Sequence, residues 1–281
     1  MAEISTLKNT SGKELYNYQE DAITEIFQRF DNAGDDYHLL YQLPTGGGKT
    51  VIFSEIVRRY ISKYKKKVLV LTHRIELSKQ TSNMLSEFGV ENKIVNSTAQ
   101  LDDQDKYDCF VAMVETLKNR LNDEKLDISD IGLVIVDEAH YNSFTKIFKF
   151  FDNSIILGVT ATPLSSNIKL PMYENYQELF VGETIQHLID NHYLASANLH
   201  SFNVGLTSLE VGANGDYTVK SSEDLYTNSD MLSKLIEAYE ATSKGKKTLI
   251  FNNGINTSIQ VFEAFKKAGY PIAHLDNTNT K

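Results

Sequence analysis

Residues 37–43, 68–71, 107–114, 131–136 and 154–159 form short, mainly apolar runs that do not alternate with polar residues. A strand that buries one face alternates. Runs that do not must be covered on both faces, which is the pattern of a parallel sheet held between helix layers. The intervening stretches, residues 18–30, 49–64 and 75–88, carry apolar residues at helical spacing. The expected fold class is therefore α/β, a parallel sheet with helices on both faces, in which ligands gather at the carboxyl ends of the strands.

Length and composition agree with such a sheet and narrow what else the chain is. Its 281 residues suffice for one large α/β domain and part of a second. With 41% apolar and 23% charged residues and no long Gly, Ser or Pro tract, it has the balance of a chain that buries a core. Nowhere do about 18 apolar residues follow one another, and the start is polar, so no membrane partner is expected and the chain reads as soluble and cytoplasmic. Cys109 is the only cysteine, which excludes an internal disulfide and a cysteine metal site; it reads as a core residue. The net charge of −9 argues against coating nucleic acid by bulk electrostatics, though not against a local basic groove. Arg58, Arg59, Lys63, Lys65, Lys66 and Lys67 do cluster. They read first as solvated cations near a helix end.

Two motifs carry chemistry on their own residues. Leu43-Pro44-Thr45-Gly46-Gly47-Gly48-Lys49-Thr50 stands between an apolar run and a helical stretch. The glycines let the backbone wrap a polyphosphate, and the helix offers its amino end to the anion. Lys49 then reaches the β and γ phosphates, and the Thr50 hydroxyl joins a Mg²⁺ shell. The strict phosphate-loop pattern has Gly where Leu43 stands. The second motif, Asp137-Glu138-Ala139-His140, follows the buried run at 131–136. An acid at that strand tip, Asp137, suits holding the metal through water, and Glu138 suits orienting or deprotonating the attacking water.

Thr45-Gly46-Gly47-Gly48-Lys49-Thr50, Asp137-Glu138-Ala139-His140 and Thr160-Ala161-Thr162-Pro163, in this order, resemble motifs I, II and III of superfamily-two DEAD/DEAH-box helicases. The resemblance is closest to the group of type III restriction-enzyme helicase subunits and related DNA-repair translocases. It implies a RecA-like P-loop NTPase lobe, ATP and Mg²⁺ as cofactors, and Lys49, Asp137, Glu138 and His140 as the catalytic set. Leu15-Tyr16-Asn17-Tyr18-Gln19 resembles that group's adenine-reading motif, which gives Gln19 the base; the group has Arg-Pro where this chain has Tyr16-Asn17. Residues 71–80 resemble motif Ia and residues 113–117 the next backbone contact, implying that Arg74 and Thr116 touch nucleic acid, DNA ahead of RNA. Arg74 at a strand-to-helix turn is also well placed for a phosphate on physical grounds. On the same grounds it reads as a surface ion pair, and Thr116 as a helix cap. By the resemblance, Thr160 and Thr162 couple hydrolysis to movement, and His140 faces a second lobe or the γ phosphate.

After Pro163 the pattern changes. Residues 183–191 have helical spacing, and the polar, Gly-containing stretch 205–222 reads as a hairpin or linker. A helix is expected from Met231 onward, then a strand at 248–252, a helix at 255–268 and a strand at 271–275. Residues 247–254 resemble motif IV of the same family. No segment resembles motif V or the arginine-bearing motif VI. The expected organisation is an ATP-binding lobe over residues 1–195, a linker and the start of a second lobe over 196–245, and an incomplete second RecA-like lobe over 246–281. The remainder of that C-terminal lobe is the partner the motor needs, and the 281-residue chain alone is expected to turn over ATP weakly. Two rival readings stay open: a nucleotide-binding fragment without turnover, and a non-helicase phosphate-loop ATPase such as a small-molecule kinase or transporter ATPase.

Overall fold

The computed structural model describes residues 14–96, 105–122, 129–141, 144–165, 169–212 and 215–276. The chain divides after Ser196 into two compact units. The first is built on strands β1 (His38–Gln42), β2 (Lys67–Thr72), β3 (Asn92–Val95), β4 (Cys109–Met113), β5 (Ile131–Asp137), β6 (Ile155–Thr160) and β7 (Glu178–Val181). They form a seven-stranded sheet in the order β3-β4-β2-β5-β6-β1-β7, paired in parallel throughout. Six helices accompany it among the described residues: α1 (Asn17–Asn32), α2 (Lys49–Tyr64), α3 (Ile75–Glu87), α4 (Val114–Asn122), α5 (Thr145–Phe148) and α6 (Ile185–Asp190).

Successive strand residues face opposite sides, so the sheet feeds two cores. Val68 and Val70 of β2 join Ile23 and Ile26 of α1 and Phe53 and Ile56 of α2. Leu69 and Leu71 join Leu117 of α4 and Ile147 and Phe148 of α5 on the other face. Strands β5 and β6 are buried at every position, which is why their runs do not alternate. At the sheet's edge, β7 switches between half-buried and exposed residues, and β3 at the other edge is mostly half-buried. Neither edge strand presents a continuous apolar run, and both escape the sequence pattern for that reason. Cys109 is fully buried as expected, and burial pushes its thiol far above the ordinary range.

The basic cluster near the end of α2 is neutralised rather than free. Arg58 and Arg59 both clasp the buried Glu55, Arg59 also reaches Glu20 of α1, and Lys63 and Lys66 meet Asp31 and Asp35. Burial alone would raise the Glu55 carboxyl, yet the two guanidiniums hold it below its ordinary value. These cations fasten α2 to its surroundings.

The second unit contains α7 (Val219–Tyr226), α8 (Ser229–Thr242) and α9 (Ile255–Lys267). Thr218 and Asn228 cap the first two by accepting from the backbone N–H groups of Ser221 and Met231. In the stretch expected as a hairpin or linker, Val211 and Tyr217 form one antiparallel bridge. The strands expected at 248–252 and 271–275 are not formed. Leu249, Phe251 and Leu275 are each more than four-fifths exposed; a strand needs a neighbour for its backbone groups, and among the described residues of this unit these segments have none.

Candidate functional site

Parallel pairing brings the strand ends that carry the motifs to one edge. In the spatial order β2, β5, β6, β1, these ends lead into Arg74, the Asp137–His140 turn, Thr160–Thr162 and the glycine loop. Register pairs Asp137 with Val159 and Gln42 with Thr160, and backbone bonds cross between the emerging loops. Leu43 N–H donates to the Thr160 carbonyl and Ala139 N–H to the Val159 carbonyl, each at 3.0 Å. Segments far apart in sequence are thus joined before any ligand is considered.

The loop from Leu43 to Gly48 makes the strand-to-helix turn that a phosphate requires. Gly46 and Gly48 have φ of +85° and +82°, a region costly for residues with a Cβ, and Gly48 is the residue from which α2 starts. The amino end of a sixteen-residue helix therefore opens onto the loop, with its free N–H groups and positive dipole end. The Lys49 ammonium curls back to the Leu43 carbonyl at 3.5 Å, and Thr50 is half-buried at the start of the same helix. Gln19, only 4% exposed, lies over the loop: a Cβ on Gly48 would come within 2.5 Å of its Nε2. Its Oε1 accepts from the Tyr16 N–H at 3.0 Å, closing the start of α1.

Asp137 and Glu138 sit at the tip of β5 in contrasting conditions. Asp137 is 8% exposed. Burial, and then the neighbouring Glu138 charge, push its pKa up to about 6, against the opposing pull of Lys49 and of the Glu138 N–H, which donates to it at 3.0 Å. Glu138 is a non-glycine residue at φ +53°, a left-handed conformation that typically costs about 1–3 kcal/mol and gathers at functional sites. Thr160 is fully buried. Its hydroxyl donates to the Thr162 carbonyl, accepts from the Thr162 N–H and meets His140 Nδ1 at 3.0 Å. The same Nδ1 lies 3.4 Å from Glu138 Oε2. Thr160, His140 and Glu138 are therefore one connected group, while the Thr162 side chain is exposed.

Arg74 is the exposed N-cap of α3 and makes no ion pair with a described residue. Thr72 and Ser78 are bonded to each other at 2.6 Å, and the hydroxyl whose proton that bond leaves over donates to the Arg74 carbonyl, which fixes the turn. Thr116 lies inside the first turn of α4, whose range begins at Val114, and not at a cap position.

Sequence reasoning overlooked several residues around these motifs. The Tyr18 hydroxyl donates to the Gly47 carbonyl at 2.8 Å, and Tyr193 packs its ring on Tyr16 and Tyr18 at 4.7 and 4.9 Å. Leu194 backs Gly46 so closely that a Cβ there would come within 2.6 Å of its Cδ1. Tyr18 was visible as the neighbour of Gln19; Tyr193 and Leu194 lie far along the chain and carried no signal.

A divalent cation fits this donor set in the way Mg²⁺ usually enters such sites. Asp137 is a buried carboxylate with no salt bridge to a described residue, and Thr50 supplies a hydroxyl at the start of α2. Among the described residues no group of three or more His, Cys, Asp or Glu side chains is placed to hold a metal. Asp137 and Thr50 would supply one or two ligands, and phosphate oxygens and water would supply the rest.

Comparison with known proteins places this arrangement. The chain is 27% identical over 246 residues to a 51.5 kDa protein of a Lactococcus phage, covering 86% of this chain and 50% of that protein. It is also 27% identical over 282 residues to IRC3 of Saccharomyces cerevisiae, named provisionally as an ATP-dependent helicase, covering 88% of this chain and 40% of that protein. The chain thus spans half or less of the length of these relatives. In fold it matches the Hef helicase domain of Pyrococcus furiosus with a TM-score of 0.52 at 18% identity, over 90% of this chain and 52% of that one. The profile described as "Type III restriction enzyme, res subunit" matches residues 12–165, more than half of the chain, and the chain belongs to that family.

Proposed function

We propose that this chain is the ATP-binding motor portion of a helicase or translocase that couples ATP hydrolysis to movement along nucleic acid, DNA ahead of RNA. The observation that carries the reading is the single carboxyl edge on which the glycine loop, the strained Glu138, the buried Thr160 and the exposed Arg74 stand side by side. Membership of a restriction-enzyme family supports DNA as the track.

Each side chain has a role in this reading. Gly46, Gly47 and Gly48 wrap the phosphates with backbone N–H groups, Thr45 leads into that wrap, and Lys49 swings from the Leu43 carbonyl to the β and γ oxygens. Thr50 and Asp137 would hold Mg²⁺, which would supply charge neutralisation at the phosphates. Glu138 accepts the proton of the attacking water. His140 and Thr160 hold that carboxylate in place, and Thr162 carries the state of the site outward. Gln19 reads the base, beside the exposed Tyr16 ring. Arg74 and Thr116 meet the nucleic-acid backbone.

The test is steady-state ATP hydrolysis by a protein carrying both motor lobes, with and without single- and double-stranded DNA and RNA. Turnover is expected to rise with DNA. It should disappear in Glu138→Gln, whose amide fills the same space without accepting a proton, while Mg·ATP binding persists. Unchanged turnover in that variant would remove Glu138 from catalysis, and hydrolysis indifferent to every nucleic acid would remove the motor reading.

A further inference from the structure

The turn that carries Arg74 and the turn that carries Glu138 are joined by a stack of three rings. Tyr141 lies between His73 and His140, with centroids 4.4 Å from the first and 4.3 Å from the second and interplanar angles of 35° and 37°. His73 immediately precedes Arg74. His140 bonds Thr160 and approaches Glu138. Tyr141 also closes the acid turn through its backbone, donating its N–H to the Glu138 carbonyl at 3.1 Å. Tyr141 is about one-third exposed, and both imidazoles pack on its ring.

We propose that Tyr141 is a positioning residue that couples nucleic-acid engagement at Arg74 to the geometry of Glu138. The inference rests on the motor reading above. Glu138 occupies a conformation that its backbone does not favour, and such conformations persist only where their surroundings hold them. The stack supplies one of those restraints and receives its other end from the turn that faces the phosphate backbone. A shift of the His73–Arg74 turn moves the surface against which Tyr141 rests, and with it the turn containing Glu138. Burial, and after it the adjacent Arg74, lower the His73 pKa, and its Nδ1 is buried without a hydrogen-bond partner among the described residues. The contact is between ring faces and edges, and offset or tilted rings of this kind attract weakly. That is enough to bias a local two-state turn and too little to hold up the fold.

The test is linkage between two ligands on the 281-residue chain. Binding of a fluorescent single-stranded DNA oligonucleotide is measured with and without Mg²⁺ and a non-hydrolysable ATP analogue, and the affinity ratio is the coupling factor. The wild type is expected to show a factor of about ten, within the usual range for coupled sites. Tyr141→Phe keeps the ring and should keep the factor. Tyr141→Ala should bring it close to one while each ligand alone binds within about threefold of wild type. His73→Phe and His73→Ala repeat the comparison from the other face of the stack, with the same split expected. Wild-type coupling in Tyr141→Ala and in His73→Ala would overturn the inference. So would equal loss of both separate affinities in the Ala and Phe variants, which marks a merely structural residue. A wild type that binds both ligands without coupling, or that binds the ATP analogue but no DNA, overturns the inference and leaves the motor reading standing; a wild type that fails to bind the ATP analogue sinks the motor reading with it.

Discussion

Asp137 is placed where binding needs it at a cost to the fold. A carboxyl whose folded pKa lies above its unfolded value of 3.8, here at about 6, stabilises the protein when protonated. That contribution is full below about pH 4 and is lost as pH rises through about 6. At neutral pH and without ligand the shift corresponds to a penalty of about 2–3 kcal/mol. Asp137→Asn is therefore expected to melt above the wild type near pH 7, with the gap shrinking towards pH 4, and to lose the Mg²⁺ dependence of ATP binding. Thermal unfolding across that pH range checks it, and equal melting temperatures at pH 7 would contradict the assigned burial penalty. Glu138 makes the same trade through its backbone. Glu138→Gly should stabilise the chain by about 1 kcal/mol by relieving the left-handed strain while abolishing turnover, and a destabilised Glu138→Gly would show that the carboxylate supports the fold.

Between the strands that carry the phosphate loop and the acid pair lies β6, and one glycine sets how closely it is covered. A Cβ on Gly158 would come within 2.5–2.6 Å of the Tyr176 hydroxyl and ring, and Tyr176 is itself buried. Gly158→Ala should cost about 1–3 kcal/mol as overpacking, read in urea unfolding, and a neutral outcome would mean that Tyr176 moves freely. Nothing in the sequence marked that pairing, because Tyr176 belongs to a segment that carries no strand or helix periodicity. What was legible follows from physics that repeats along the chain. The buried runs of β1, β2, β4, β5 and β6 and the spacing of α1, α2 and α3 report burial on two faces and on one. The short edges β3 and β7 do not, and α4 went unread behind its motif. The expected strands at 248–252 and 271–275 show the reverse error: their apolar runs were real, but no strand stands beside them in the second unit. The glycine loop and acid pair were legible because their chemistry is contiguous in sequence. The His73–Tyr141–His140 stack was not, because it is assembled by strand order.

For the whole molecule, a net charge of −9 and acid partners for Arg58, Arg59, Lys63 and Lys66 argue against bulk electrostatic binding of a phosphate backbone. Nucleic-acid binding should be modest and salt-dependent, and Arg74→Ala should lower the slope of log affinity against log salt by about 0.7–0.9; an unchanged slope would place the backbone contact elsewhere. The central claim, that the Gly46–Thr50 loop holds Mg·ATP, is tested most directly by ligand-induced stabilisation. At about a hundredfold excess over the dissociation constant, Mg·ATP should stabilise the wild type by about 2.7 kcal/mol. Lys49→Ala removes a half-buried cation outside both cores and should keep the unliganded melting temperature but show no such rise. An equal rise in the variant and the wild type would contradict the account.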